Sequence, residues 1–333
     1  MGMLSRIWKK IKGQDAVDQF FTRLPDSFPE DGQDLVPDDC YVELYVESLR
    51  LEKARRFAAS FHGVVYSFVS LVREADRNAE IAAISKPEKL ANLDKDSLGN
   101  VISVHKQMMG AAAWRGGNLG LEIGLFSVKS GNLLTPVLDF VTRVSTTAGV
   151  SFVGAVKPFL PLITEGIDLI AGQKDETNLE VGLDTDLGLT KTGTYAVIDA
   201  PKNSIDVAKL SLDPRDGKLL LAGQPLQKAY CVFSIRRQDQ KVDYGQIPVL
   251  KEKTEALFAA IRKGVKKDAE DALTALKLEV IVSQDLITRD GNLLIQKAKD
   301  RVKAAFGGGG VSAAKVKQIA PEEEALEALQ LYG

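Results

Sequence analysis

The chain is short of the side chains that carry most catalytic and metal chemistry. Its 333 residues include two cysteines and two histidines, Cys40, Cys231, His62 and His105, all far apart. None of the spacings between them resembles a zinc knuckle or a redox pair, so both cysteines read as small interior hydrophobes. A Cys40–His62 nucleophilic pair would need their strands to lie side by side, and no local signature supports it. There is no G-x-S-x-G nucleophile elbow, and "FGGGGVS" lacks the Gly-Lys-Ser/Thr continuation of a phosphate loop. No cofactor is expected.

An excess of one charge is also missing. Lys and Arg total 43 against 45 Asp and Glu, a net charge of -2, so the basic footprint of a nucleic-acid binder is absent and nucleic acid is not an expected partner. The start, "MGMLSRIWKKIKGQD", has no apolar core or cleavage site of a secretory signal, and Arg6 breaks the myristoylation pattern. The expected compartment is the cytoplasm, with a peripheral membrane position as the alternative.

A long uncharged apolar run is missing too. The greasiest stretch, "AGVSFVGAVKPFLPLITEGIDLIAG" at 148–172, contains Lys157, Glu165, Asp168, Pro158 and Pro161. Each charge near a helix centre costs about 2.5–3.5 kcal/mol in a bilayer, which disfavours a transmembrane span. Val153, Val156, Leu160, Ile163, Ile167 and Ile170 step instead by threes and fours, the stripe of a packing helix. With the preceding segment opened by Thr135 and Pro136, this predicts a helical hairpin over 133–172.

What the sequence has in quantity is β signal. "CYVELYVESLRL" alternates Val42, Leu44 and Val46 against Tyr41, Glu43 and Tyr45, a strand with two distinguishable faces. "FAASFHGVVYSFVSLV", "NVISVHKQMM", "NLGLEIGLFSVKS", "NLEVGLDTDL", "GTYAVIDA", "SIDVAKLSLD", "GKLLLAG" and "KAYCVFSIRRQ" read as further strands, although Phe57, Phe61, Val64 and Phe68 of the first also fit a helical face, while 73–99 is a polar stretch with a weak helical signal. "DPRDGK" suits a hairpin turn, Pro214 pre-setting one position and Gly217 free to take positive φ. Further on, "VLKEKTEALFAAIRKGVKKDAEDALTAL" predicts two helices broken near Gly264, "KLEVIVSQDL" a strand and "TRDGNLLIQKAKDRVKAAF" a last helix.

The expected fold class is therefore α+β. A mainly antiparallel β-sandwich-like body with an inserted helical hairpin precedes an α/β C-terminal part and a flexible tail. The expected divisions are 1–37 (amphipathic helices, one at 15–24 with Val17, Phe20, Phe21 and Leu24 on one side, then an acidic Pro-rich linker), 38–245, 246–306 and 307–333.

Three features bear on function. The tail follows a four-glycine run with Pro321 and three glutamates at a helix start, and Leu326, Leu329 and Tyr332 could form a small apolar face that docks into a partner's groove or folds back on its own body. At the other end Leu4, Ile7, Trp8 and Ile11 recur at helical spacing with Lys9, Lys10 and Lys12 between, the composition of an interfacial anchor; Trp8, Lys9, Lys10 and Lys12 are the membrane-contact candidates. Asp184, Asp186, Asp213 and Asp216 lie at ends of β runs, where gathered carboxylates bind calcium and single ones cap turns. Met108, Met109 and Trp114 suit either an adaptable contact surface or a core. Together these favour a non-enzymatic interaction or adaptor protein with a protein partner. A membrane-associated protein using the N-terminal helix and the hairpin is the alternative, and an enzyme or calcium module the weaker one. Liposome flotation of the full chain against a chain lacking residues 1–13 checks the membrane alternative: it expects the first to float and the second to lose binding, and no binding by either removes it.

Overall fold

The computed structural model describes residues 19–25, 27–52, 55–56, 59–72, 78–84, 102–129, 177–201, 203–307 and 326–332. The hairpin expected at 133–172 and the basic segment around Trp8, Lys9, Lys10 and Lys12 lie outside them. The chain divides into two compact units, one of Met1–Leu35, Val42–Ala111 and Arg115–Arg237, the other of Val36–Tyr41, Ala112–Trp114 and Gln238–Gly333.

In chain order the strands are β1 (Gln19–Arg23), β2 (Tyr41–Arg50), β3 (Arg55–Arg56), β4 (Ala59–Val72), β5 (Asn78–Ile84), β6 (Ile102–Ala113), β7 (Asn118–Lys129), β8 (Thr177–Gly188), β9 (Gly193–Pro201), β10 (Leu210–Leu212), β11 (Leu219–Leu221), β12 (Gln224–Pro225) and β13 (Tyr230–Gln238). They form a five-stranded sheet in the order β1-β9-β13-β2-β6, a small sheet β10-β11-β12, and a sheet β3-β4-β7-β8 in which β5 also pairs with β4. The helices are α1 (Pro248–Lys263), α2 (Lys266–Val282) and α3 (Thr288–Phe306). This is the expected α+β class with a sheet-rich body.

Several elements differ in kind from expectation. Within the helix expected at 15–24, residues Gln19–Arg23 are a strand, paired antiparallel with β9 so that Phe20 faces Ile198 and Phe21 faces Val197. The spacing of Phe20, Phe21 and Leu24 fits a helical stripe, but here Phe20 and Leu24 enter a core with Ala196, Ile198, Leu210, Leu219, Tyr230 and Val232. Phe21 lies on the opposite face and stacks on Tyr195 and Phe233. Both faces of this short strand find apolar partners, and pairing overrides local preference. The expected strand "KLEVIVSQDL" is, up to Val282, the second half of α2. Its β-branched residues sit on a continuing helical period, with Ala269, Leu273, Leu276 and Val280 buried along one side. β5 is a strand within the stretch expected to be polar with a weak helical signal, and the strand expected over "SIDVAKLSLD" is confined to Leu210–Leu212 after a 3-10 turn at Val207–Lys209.

β2 is buried on both faces, and Tyr45 alone along it is partly exposed. A charged strand can lie so deep because its polar groups are matched. Gln107 donates to Glu43 at 2.8 Å, Ser48 donates to the Gly217 carbonyl at 2.6 Å, and Arg50 donates to the Lys228 carbonyl and Gln227 Oε1 at 3.0 and 2.8 Å. The expected hairpin joins β10 to β11, with Leu212 opposite Leu219. Gly217 there has φ +70°, and a Cβ would come within 2.8 Å of Ser48 Cβ. Gln19 links β1 to β8: Gly182 N–H donates to its Oε1 at 2.7 Å.

Both cysteines are free thiols in the interior. Burial pushes the Cys231 thiol up to about 12, which leaves it protonated at neutral pH and inert to thiolate-directed reagents. Ellman's reagent is accordingly expected to find neither thiol in the native protein and both after denaturation in guanidinium chloride; rapid native labelling of Cys231 would contradict this placement.

Candidate functional site

In the first unit, three neighbouring strands converge on one carboxylate. Glu47 on β2 is 4% exposed and accepts hydrogen bonds from Ser234 Oγ and, at 2.8 Å, from Arg236 Nη2, both on β13. On its other oxygen it meets His105 Nδ1 of β6 at 2.8 Å. An ionised carboxylate only accepts, so Nδ1 is the donor. His105 holds φ 37°, a left-handed conformation that a non-glycine residue adopts at a cost of about 1 kcal/mol or more. Its ring stacks on that of Tyr45 at 5.2 Å, and the Arg236 guanidinium lies 4.6 Å from the centre of the Tyr45 ring. Serine, histidine and carboxylate are all present, but the carboxylate lies between the other two. The imidazole therefore holds no bond to Ser234 Oγ, and Ser234 is 1% exposed. The arrangement is a buried-charge clasp across three strands and lacks the order of a nucleophilic triad.

The second unit has a comparable centre. Asp290, in the first turn of α3 and 1% exposed, accepts hydrogen bonds on Oδ2 from Tyr41 Oη at 2.7 Å and Tyr332 Oη at 2.5 Å. Arg289 Nε reaches its other oxygen at 3.1 Å. The Ile287 N–H donates to Tyr41 Oη at 3.3 Å and the Lys241 N–H to Tyr332 Oη at 2.8 Å, so each hydroxyl both donates and accepts. Burial, reinforced by the adjoining carboxylate, pushes both tyrosine hydroxyls well above their ordinary value. The α3 N-terminus is capped from a distance: Thr288 N–H donates to Asp38 Oδ1 at 2.9 Å.

This centre settles the position of the expected docking segment. Leu326–Leu329 is a short 3-10 turn packed against α1, α3 and the 3-10 turn Tyr244–Gln246. Leu326, Leu329 and Leu331 are 0, 4 and 2% exposed. Tyr332 meets Tyr244 edge to face at 5.7 Å, while Leu331 N–H donates to Tyr244 Oη at 3.1 Å. The residues expected to form a presented face, Leu326, Leu329 and Tyr332, are thus engaged within their own unit.

No family model, curated protein or solved structure matches the chain.

The expected calcium candidates are not drawn together by a common loop. Asp184 and Asp186 lie on β8 opposite Glu122 and Gly120 of β7. Asp213 takes Nε and Nη2 of Arg215 at 3.0 and 2.7 Å, which pulls its carboxyl down to about 2. Asp216 pairs with Lys218 at 2.6 Å. Among the described residues no group of three or more His, Cys, Asp or Glu is placed to hold a metal ion, and no helix is long and apolar enough to cross a membrane. Met108, Met109 and Trp114 are each buried, at 1, 0 and 1% exposure. His62 lies on β4 opposite Val128.

Neither clasp is announced by a local motif in the sequence. Glu43, Tyr45 and Glu47 do alternate on one face of "YVELYVE", the available hint for the first. The second joins residues 249 and 42 positions from Asp290, which no local pattern carries.

Three buried leucines contribute about 1.5–3 kcal/mol each to holding the segment 326–332, and the hydrogen bond from Tyr332 to Asp290 about 1.5–3 kcal/mol. Tyr332→Phe is expected to lower stability by about 1.5–3 kcal/mol and Leu329→Ala by about 2–5 kcal/mol, read from guanidinium unfolding followed by tyrosine fluorescence. An unchanged midpoint for Tyr332→Phe would show that the hydroxyl contributes nothing.

Proposed function

We propose that this chain is a non-enzymatic protein-interaction protein, and that its contact surface is the exposed face of α2. One observation carries the reading. Leu278, Ile281 and Val282 are 61, 71 and 69% exposed, and their spacing puts them on one side of the helix, away from the buried Ala269, Leu273, Leu276 and Val280. A single exposed apolar residue is ordinary, whereas three adjoining ones at the end of a well-packed helix form a patch.

The charges around the patch favour a protein over a membrane. Lys267 and Asp271 continue the same face, and Glu279 and Lys277 flank it, so the border mixes both signs. An anionic bilayer attracts clusters of Lys and Arg, which this border does not provide. The fitting partner is a protein whose apolar contact is edged by charges of both signs, giving an apolar centre with a polar rim.

A photo-crosslinking residue at position 281 of the full chain, in the cells that produce it, tests the reading against the same residue at exposed Lys299. The expected result is a discrete protein adduct from position 281 alone, abolished by Leu278→Glu with Val282→Glu while the thermal midpoint is unchanged. Adducts equal at the two positions, or insensitive to the glutamates, would overturn the reading.

A further inference from the structure

We propose that the outer edge of β8 is a docking site for an extended segment of a partner protein, one that carries Lys or Arg at every second position. The inference shares no residue with the α2 surface and stands or falls separately from it.

β8 ends its sheet: among the described residues its strand partner is β7 alone. The chain meets the other edge with a side chain. Gly182 N–H donates to Gln19 Oε1 at 2.7 Å, and Gln19 Nε2 donates to the Glu180 carbonyl at 3.4 Å. One primary amide thus accepts and donates as the peptide groups of a neighbouring strand would. Its contacts also fix which way the edge points. Main-chain groups of alternate residues share a direction, so those of Asp184, Asp186 and Gly188 face outward as those of Gly182 do. All three residues are exposed. A row of open donors and acceptors is a template for another strand, and in recognition of this kind the main-chain hydrogen bonds supply the affinity.

Charge selects the strand that fits. Asp184 and Asp186 lie on one face of β8, and Asp184 is directly opposite Glu122 of β7. Like charges facing each other across a ladder repel, and opposite charges attract. A strand laid along the edge places every second side chain beside these carboxylates, where a Lys or Arg answers them. The other face of β8 carries Leu183, Thr185 and Leu187, so the intervening side chains of the partner are apolar. A second copy of β8 would bring its own aspartates to the same face. The acidic row therefore repels the chain's own edge while it attracts a basic segment.

The test titrates the full chain into a short fluorescent peptide of alternating Lys and Val with blocked ends, followed by anisotropy. The peptide should bind, and the same peptide methylated on its backbone nitrogens, which keeps every charge, should not. Gly188→Pro removes one outward N–H without touching a charge or the bonds to β7, and should weaken binding. Asp184→Lys with Asp186→Lys should weaken it about tenfold or more and confer binding of the peptide with Glu in place of Lys, while the thermal midpoint stays or rises. A Lys-Val peptide that fails to bind, or that binds as well when methylated, would overturn the strand docking. Binding indifferent to Gly188→Pro would overturn the β8 edge as its place, and binding indifferent to the charge reversal would overturn the choice of a basic segment.

Discussion

A carboxylate removed from water must be hydrogen-bonded or it destabilises the fold by several kcal/mol, and the second unit is organised around one such group. Asp290 is almost fully buried, and its partners come from Tyr41, Arg289 and Tyr332. Because Tyr41 Oη and Tyr332 Oη are themselves held by the N–H groups of Ile287 and Lys241, satisfying this one charge fixes the start of α3, the strand residue Tyr41 and the segment at 326–332. The leucines supply area, but area alone has no preferred register. The hydrogen bonds decide where the segment lies.

Glu47 has the same part in the first unit. Its two oxygens take Ser234 and Arg236 from one neighbouring strand and His105 from the other. The positive φ at His105 is the conformational cost of bringing that ring into reach. Such a clasp specifies which strands are neighbours more sharply than apolar contacts would. The sheet order β13-β2-β6 follows the reach of one side chain.

The strands β7, β9 and β13 were legible because both local preference and period point the same way, whereas in β4 a helical period fits as well and the pairing with β7 decides. The hairpin at Gly217 was legible because turn chemistry is local. β1 was not: Phe20, Phe21 and Leu24 satisfy a helical stripe as well as a strand, and only the partner β9 decides between them. β5, "NAEIAAI", carries little β preference and exists through its pairing with β4. In α2 the run "LEVIV" looks like a strand when isolated, while Leu273, Leu276 and Val280 show the longer period. The leucines of 326–332 were visible as a sticky face, but their destination depended on Asp290 and Lys241, which nothing nearby in sequence announces.

The distance along the chain between Tyr41 and Asp290, 249 positions, also sets an order in time. As the polypeptide is made from its N-terminus, Tyr41 emerges long before its acceptor exists, and contacts of such separation form slowly because a long loop must close first. The first unit can pair β1 with β9 and settle Glu47 while α3 has yet to be synthesised. Tyr332 arrives later still, so the second unit reaches its final state only when the youngest part of the described chain turns back to one of the oldest.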